Sequence, residues 1–155
     1  MEAKTAIKTG LVFLFAFVLA VAVLKLSPKR AMNSGGCGPR ALHSAAMQLG
    51  CKMTEVEVLN LFPRQGFEVS IGEMESALPR LGLRGKSRLM NVEELRREKP
   101  IGVLHIDDTH FVAVAGYEGD SLLVVDSLYK GEDKPVRWLF DDLKIRWNGA
   151  ILCLN

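Results

Sequence analysis

NSGGCGPRAL, residues 33–42, is the stretch that decides the fold, because in it a glycine-rich turn leads directly into a helix. The two consecutive glycines permit a tight turn, and Pro39 suits a first helical turn. Apolar residues then recur at helical spacing as far as Gly50, and glycine is a typical residue after a helix end. The sequence therefore predicts a helix that begins near Cys37.

The cysteine at this junction, Cys37, is a candidate nucleophile. A thiol at a helix N-terminus faces unpaired backbone N–H groups and the positive end of the helix dipole, and both favour the thiolate. The thiolate is the form that attacks a carbonyl carbon. The alternative interpretation is a small buried cysteine beside a glycine turn. Residues further along the chain favour the nucleophile.

Length and composition indicate one domain with a core of its own. The chain has 155 residues, 48% of them hydrophobic, and its 20 Lys and Arg against 18 Asp and Glu give a net charge of +2. This is enough apolar sequence for a real core. The sequence shows no basic stripe with interleaved aromatic residues, so we expect no nucleic-acid partner, and we expect no cofactor.

Residues 1–30 are predicted to precede the domain as a signal anchor or signal peptide with a linker. The uncharged run Thr9–Leu24 would span about 24 Å as a helix, slightly less than a hydrocarbon core of ~30 Å. Snorkelling of Lys8 and Lys25 covers the difference. The same run is typical of a signal peptide, with residues 20–22 (AVA) as the cleavage site. Both interpretations stay open, and the flanking charges do not decide the orientation.

The domain, residues 31–155, is predicted to continue with three short helices that begin at capping boxes. The capping pairs are Thr54 with Glu57, Ser70 with Glu73, and Asn91 with Glu94. We interpret their acidic residues as cap groups and solvated faces, not as catalytic pairs.

The second half of the domain is predicted to form strands, because β-branched and aliphatic residues dominate short runs between turn residues. The predicted strands are 101–106, 111–115, 122–125 and 150–154. Residues 136–143 are predicted to form one more amphipathic helix or turn, with Trp138 and Leu139 inward. Helices followed by antiparallel strands indicate an α+β domain in which N-terminal helices pack on a C-terminal sheet.

The turn after the second predicted strand allows a test of register. If residues 117–119 form a three-residue hairpin loop, Gly116 lies opposite Asp120 and His110 lies opposite Asp126. Directly paired residues point to the same face with Cβ atoms about 5 Å apart. An imidazole and a carboxylate would then meet, as a catalytic histidine requires. The alternative is two unrelated polar residues at solvent-facing strand ends.

Three segments in this order resemble the motifs of the bacteriocin-processing, double-glycine cysteine peptidases. They are GCGPRAL at 36–42, HFVAV at 110–114 and VVDS at 124–127, and the resemblance covers about residues 33–154. This family supplies the peptidase domains of peptide-exporting ABC transporters and also occurs as stand-alone domains. The resemblance implies a papain-like fold, with the cysteine on an N-terminal helix and the histidine and aspartate on the sheet.

By position, the resemblance implies that Cys37 is the nucleophile, His110 the general base and acid, and Asp126 the orienting carboxylate. One departure concerns the oxyanion hole, to which the family contributes a glutamine shortly before the cysteine. Here Asn33, four residues upstream of Cys37, is the nearest side-chain amide. We therefore expect Asn33 to take the place of that glutamine beside the Cys37 backbone N–H.

The resemblance also implies a substrate and a setting. The substrate is a peptide or leader-peptide precursor with small residues, often Gly-Gly, before the cut. No Walker-type loop is found in the sequence, so a peptide exporter would be a separate chain. The setting is bacterial, with the domain membrane-anchored or exported. Two alternatives are another papain-like amide hydrolase, such as a cell-wall peptidase, and an inactive, membrane-tethered peptide-binding domain.

Other reactive residues receive structural interpretations. His105, Asp107, Asp108 and His110 cluster in the sequence, but a strand running into a turn explains them better than a metal site does. His43 lies about 240° around the helix from Cys37 and cannot be its base, so we interpret it as a surface or interface residue. The remaining cysteines, 51 and 153, are predicted to be buried, or to form a disulfide if the domain is exported.

Overall fold

The structure is a computed structural model that describes residues 36–62, 69–127 and 134–155. The apolar run Thr9–Leu24 and the amide of Asn33 lie outside these residues. Within the described ranges, no helix has both the length and the apolar character needed to cross a membrane.

Helices dominate the first half of the described chain and strands the second. The helices are α1 (Cys37–Gln48), α2 (Glu55–Leu59), α3 (Ile71–Ala77), a 3₁₀ turn (Leu78–Leu81), α4 (Val92–Glu98) and α5 (Phe140–Arg146). The strands are β1 (Gly85–Leu89), β2 (Ile101–Ile106), β3 (His110–Glu118), β4 (Ser121–Val125), β5 (Val136–Leu139) and β6 (Trp147–Leu154). The six strands form one antiparallel sheet in the order β1-β6-β2-β3-β4-β5. The predicted α+β fold is confirmed.

The central strands β2 and β3 divide their side chains between two cores. Val103, Phe111 and Ala113 face a core that includes α1 and α3. Leu104 and Val112 face a second core that includes residues of α4 and α5. Because strand side chains alternate between faces, this segregation follows from the apolar runs of β2 and β3. The sheet is therefore covered on both sides, and α1 holds Cys37 over the first face.

The three predicted capping boxes are present at the starts of α2, α3 and α4. In each, the cap side chain accepts a hydrogen bond from the N–H of the third helical residue, and the glutamate of that residue accepts from the cap N–H. The acidic residues of these pairs are cap groups, as the sequence indicated.

Two strands were not expected from the sequence. The edge strand β1 has four exposed residues out of five, so it carries little apolar pattern, and its pairing with β6 defines it. The segment 136–143, predicted to be an amphipathic helix or turn, instead begins as β5, and α5 starts only at Phe140. Leu139, predicted inward, is 53% exposed, because it lies at the strand-to-helix junction beside the buried Phe140.

The predicted register of the β3–β4 hairpin is wrong. Glu118 pairs with Ser121, so the loop contains two residues rather than three. Gly119, with φ of 56°, is the first of the two, as in a type II′ turn. A register shift follows between Val114 and Gly116, and the ladder ends with Ala113 opposite Val125.

Candidate active site

Cys37 is the first residue of α1 and is only 6% exposed. The residue before it, Gly36, occupies the N-cap position and has no side chain that could accept from the first-turn N–H groups. The thiol therefore lies at the positive end of a twelve-residue helix. Gly38 lets this end approach the sheet closely, because a Cβ there would lie 3.4 Å from Phe111 Cδ2 and from Met74 Sδ.

His110 is the first residue of β3, and its Nε2 lies 2.8 Å from Asp126 Oδ1. The exposed fractions of the two side chains are 14% and 8%. Since a carboxylate can only accept, Nε2 carries the proton in this contact. Continued at its final register, the ladder would place Val112 opposite Asp126. The imidazole and carboxylate thus meet diagonally at the strand ends, a reach that long side chains can cover.

The other imidazole nitrogen of His110, Nδ1, is not the one that contacts Asp126. Within the described part of the chain it is buried and has no hydrogen-bond partner. The thiol and the imidazole are nonetheless close enough to affect each other's ionisation. In resting active sites such catalytic contacts are often longer or less well aligned than in the complex with substrate.

The environment favours the thiolate of Cys37. Burial is the largest single influence on the pKa of this thiol and raises it, but the His110 imidazole and the backbone N–H groups of Phe111 and Gly38 together outweigh burial. The pKa of Cys37 therefore lies below its ordinary value. The Phe111 contribution could not be read from the sequence, because it comes from the main chain and carries no side-chain signal.

The same environment favours the imidazolium of His110. Burial is again the largest influence and lowers the pKa of the ring, but contacts with Cys37 and Asp126 raise it further than burial lowers it. The net pKa of His110 lies above its ordinary value. A thiolate and an imidazolium therefore stabilise each other here, with a carboxylate behind the imidazole.

The turn between β2 and β3 accounts for the residues considered above as metal ligands. Asp107 and Asp108 have φ of 49° and 59°, a left-handed conformation that aspartate tolerates better than most residues. The Asp107 carboxylate is paired with Arg146. The Asn148 amide lies 3.2 Å from His105 Nδ1. No group of three or more candidate metal ligands occurs among the residues that the structure describes.

The other histidine and cysteines lie in structural environments. His43 Nε2 donates to the Met53 carbonyl oxygen at 3.1 Å, which ties α1 to the segment before α2. Cys51 packs in the core on the α1 face, whereas Cys153 is half-buried against the opposite core. The sheet separates the two thiols, so the disulfide considered from the sequence is wrong.

A sequence model of the peptidase C39 family matches residues 26–155, which is most of the chain. The chain belongs to the peptidase C39 family. It is therefore a hydrolase of the cysteine peptidase class. No curated protein matches the sequence at a significant level.

Solved structures share the fold at low sequence identity. The peptidase domain of Streptococcus ComA, a bifunctional ABC transporter involved in quorum sensing, superposes with a TM-score of 0.64 at 18% identity, over 79% of this chain and 93% of that one. A double-glycine-motif protease from an AMS/PCAT transporter, solved with a leader peptide, gives 0.62 at 20% identity, over 76% and 82%. The N-terminal C39-like domain of a toxin-secretion ATP-binding protein from Vibrio parahaemolyticus gives 0.62 at 15%, over 76% and 94%.

Proposed function

We propose that this cysteine peptidase removes a leader peptide from a peptide precursor by cutting after small residues such as Gly-Gly. The observation that carries the proposal is the arrangement of Cys37, His110 and Asp126 at the end of α1 and the adjoining strand ends. Two of the structural relatives support the substrate class, since one is a double-glycine-motif protease and was solved with a leader peptide, and the other belongs to an ABC transporter.

The proposed reaction begins with transfer of the Cys37 proton to His110. The thiolate attacks the carbonyl carbon of the scissile bond, and the imidazolium then donates its proton to the departing amine. Water, deprotonated by His110, hydrolyses the thioester and releases the leader with a free carboxylate. Asp126 accepts from Nε2–H throughout, so it orients the ring and stabilises the imidazolium.

The proposed oxyanion hole combines the backbone N–H of Cys37 with the side-chain amide of Asn33. The first-turn N–H groups of α1 point toward developing negative charge, and Gly36 leaves them uncapped. Asn33 lies four residues before Cys37, and the intervening sequence is Ser-Gly-Gly, in which glycine permits a tight return of the chain.

The proposed setting follows from the N-terminal segment and the relatives. We infer that residues 1–30 attach the domain to a bacterial membrane or direct its export. A peptide exporter is the proposed partner, because two of the structural relatives are parts of transporters.

A pair of synthetic precursors tests the substrate proposal. The first carries Gly-Gly before the cut, and in the second the glycine next to the scissile bond is replaced by valine. We expect the valine peptide to lose about 10- to 100-fold in kcat/KM, because the thiol is buried beside Phe111 and a branched side chain overpacks the site.

A precursor with the same replacement ten residues before the cut is the matched control. Equal cleavage of the glycine and valine peptides would refute the Gly-Gly preference. A reactive Cys37 that cleaves none of these peptides would favour a different amide substrate or a binding role.

Replacing Asn33 by alanine should lower kcat by about 10²-fold and leave KM nearly unchanged, because an oxyanion donor acts mainly in the transition state. Steady-state kinetics on the Gly-Gly precursor measure this effect. Asn33→Gln is the matched variant and should retain activity, since it keeps the amide. If Asn33→Ala is as active as the wild type, the hole is built from other donors.

A further inference from the structure

The turn that carries His110 has an unfavourable backbone. Residues 107 and 108 both adopt left-handed φ angles, which side chains other than glycine disfavour. His110 follows two residues after Asp108 and pairs with Ile106 across the turn. The start of β3, and with it the imidazole, therefore depends on contacts that hold the turn in this conformation.

Arg146, the last residue of α5, supplies those contacts to Asp107. Its Nη2 and Nε donate to Asp107 Oδ2 at 2.5 and 3.1 Å. Its carbonyl oxygen accepts from the Asp107 N–H at 2.8 Å. Asp107 is thus fastened through its main chain and its side chain to the same residue.

The Arg146 guanidinium, which holds the turn through Asp107, is itself held by a second contact. Its central carbon lies 4.5 Å from the centroid of the Trp138 ring, so a planar cation rests over an indole on β5. The rigid fork of arginine matches a carboxylate, and lysine has no equivalent geometry. The hydrogen bonds from Arg146 are the main reason that the pKa of Asp107 is lowered, and the charge of His110 lowers it further. The Arg146–Asp107 pair, called the clamp below, therefore lies within electrostatic range of the His110 imidazole.

We propose that Arg146 and Asp107 are positioning residues for the peptidase reaction. By holding the β2–β3 turn, they keep His110 and the backbone N–H of Phe111 in place against Cys37. This inference rests on the proposed function of His110. It predicts that loss of the clamp slows the chemical step without weakening peptide binding.

The test begins with Arg146→Ala in the full chain. We expect kcat for the Gly-Gly precursor to fall about 10- to 100-fold with KM unchanged, because a small displacement of a general base is costly. The alkylation rate of Cys37 by iodoacetamide at neutral pH, followed by mass spectrometry of its peptide, should fall in parallel. Arg146→Lys should recover part of both rates. Asp107→Asn should add little to Arg146→Ala, because the two changes break the same contact.

Arg88→Ala is the matched control. It breaks a comparable two-pronged pair with Glu98, at 2.6 and 3.2 Å, between β1 and α4. We expect a similar small change in unfolding temperature but wild-type kcat and alkylation. Equal losses in both variants would overturn the inference by showing a general effect on stability.

Wild-type kcat and alkylation in Arg146→Ala, with His110→Ala inactive, would overturn the clamp and leave the proposed function intact. If the wild type cleaves no precursor, the proposed substrate fails instead. The alkylation rates still decide the clamp, since they need no substrate: a fall in Arg146→Ala alone supports it, and an unchanged rate overturns it.

Discussion

Replacing Cys37 by alanine is expected to lower turnover of the Gly-Gly precursor by about 10⁵-fold or more, because no acyl-enzyme can form without the thiol. The change removes one sulfur from a buried position at the helix start, so it should perturb the fold little. Peptide cleavage by mass spectrometry and labelling with a peptide aldehyde or chloromethyl ketone measure the effect.

Cys153→Ala is the matched control for this experiment. Cys153 packs against the core on the face of the sheet opposite α1, so its removal should leave both turnover and labelling unchanged. Turnover that survives in Cys37→Ala would place the nucleophile elsewhere. Labelling that is lost in Cys153→Ala would lead to the same conclusion.

Replacing His110 by alanine is expected to lower kcat by about 10⁴-fold, because the proposed general base and acid would be lost together with the partner of the thiolate. The pH dependence separates these roles. The pKa of Cys37 is lowered and that of His110 is raised, so both shifts favour the thiolate–imidazolium pair. Below the Cys37 pKa the thiolate is protonated. Above the His110 pKa the acid that protonates the leaving amine is absent.

The wild type should therefore show a bell-shaped pH profile of kcat/KM, with limbs that belong to the coupled pair. In His110→Ala, alkylation of Cys37 should require a higher pH than in the wild type, because burial still opposes the thiolate and the imidazole no longer favours it. His43→Ala is the control, since that ring donates to Met53 and should not affect either curve. An unchanged alkylation profile in His110→Ala would show that the imidazole does not act on the thiol.

The start of α1, the three capping boxes and strand β2 could be predicted because each depends on local chemistry. A cap side chain bonds to N–H groups three residues away, and a run such as 101–106 is apolar on both faces. The edge strand β1 could not be predicted in this way. Its residues are mostly exposed, and its hydrogen bonds come from β6, about 65 residues later in the chain.

The contact between His110 and Asp126 shows how a correct pairing can follow from a wrong register. The sequence placed the two residues opposite each other through a three-residue loop, whereas the structure has a two-residue loop and a later register shift. Their side chains still meet, because the start of β3 and the end of β4 lie at the same end of the antiparallel pair. Long side chains there can reach a diagonal neighbour on the adjacent strand. Loop length alone could not reveal this compensation.

The sequence by itself determined that Cys37 begins a helix and that His110 and Asp126 lie at the ends of two successive strand segments, because spacing, glycines and apolar runs act within a few residues. Only the tertiary structure decided how the start of α1 and the two strand ends come together. Packing of α1 on β3 brings the Phe111 N–H to the thiol, and the return of the chain through α5 brings Arg146 to the turn before His110. Such contacts depend on how the sheet is ordered, and strand order is set by burial of whole faces rather than by any local pattern.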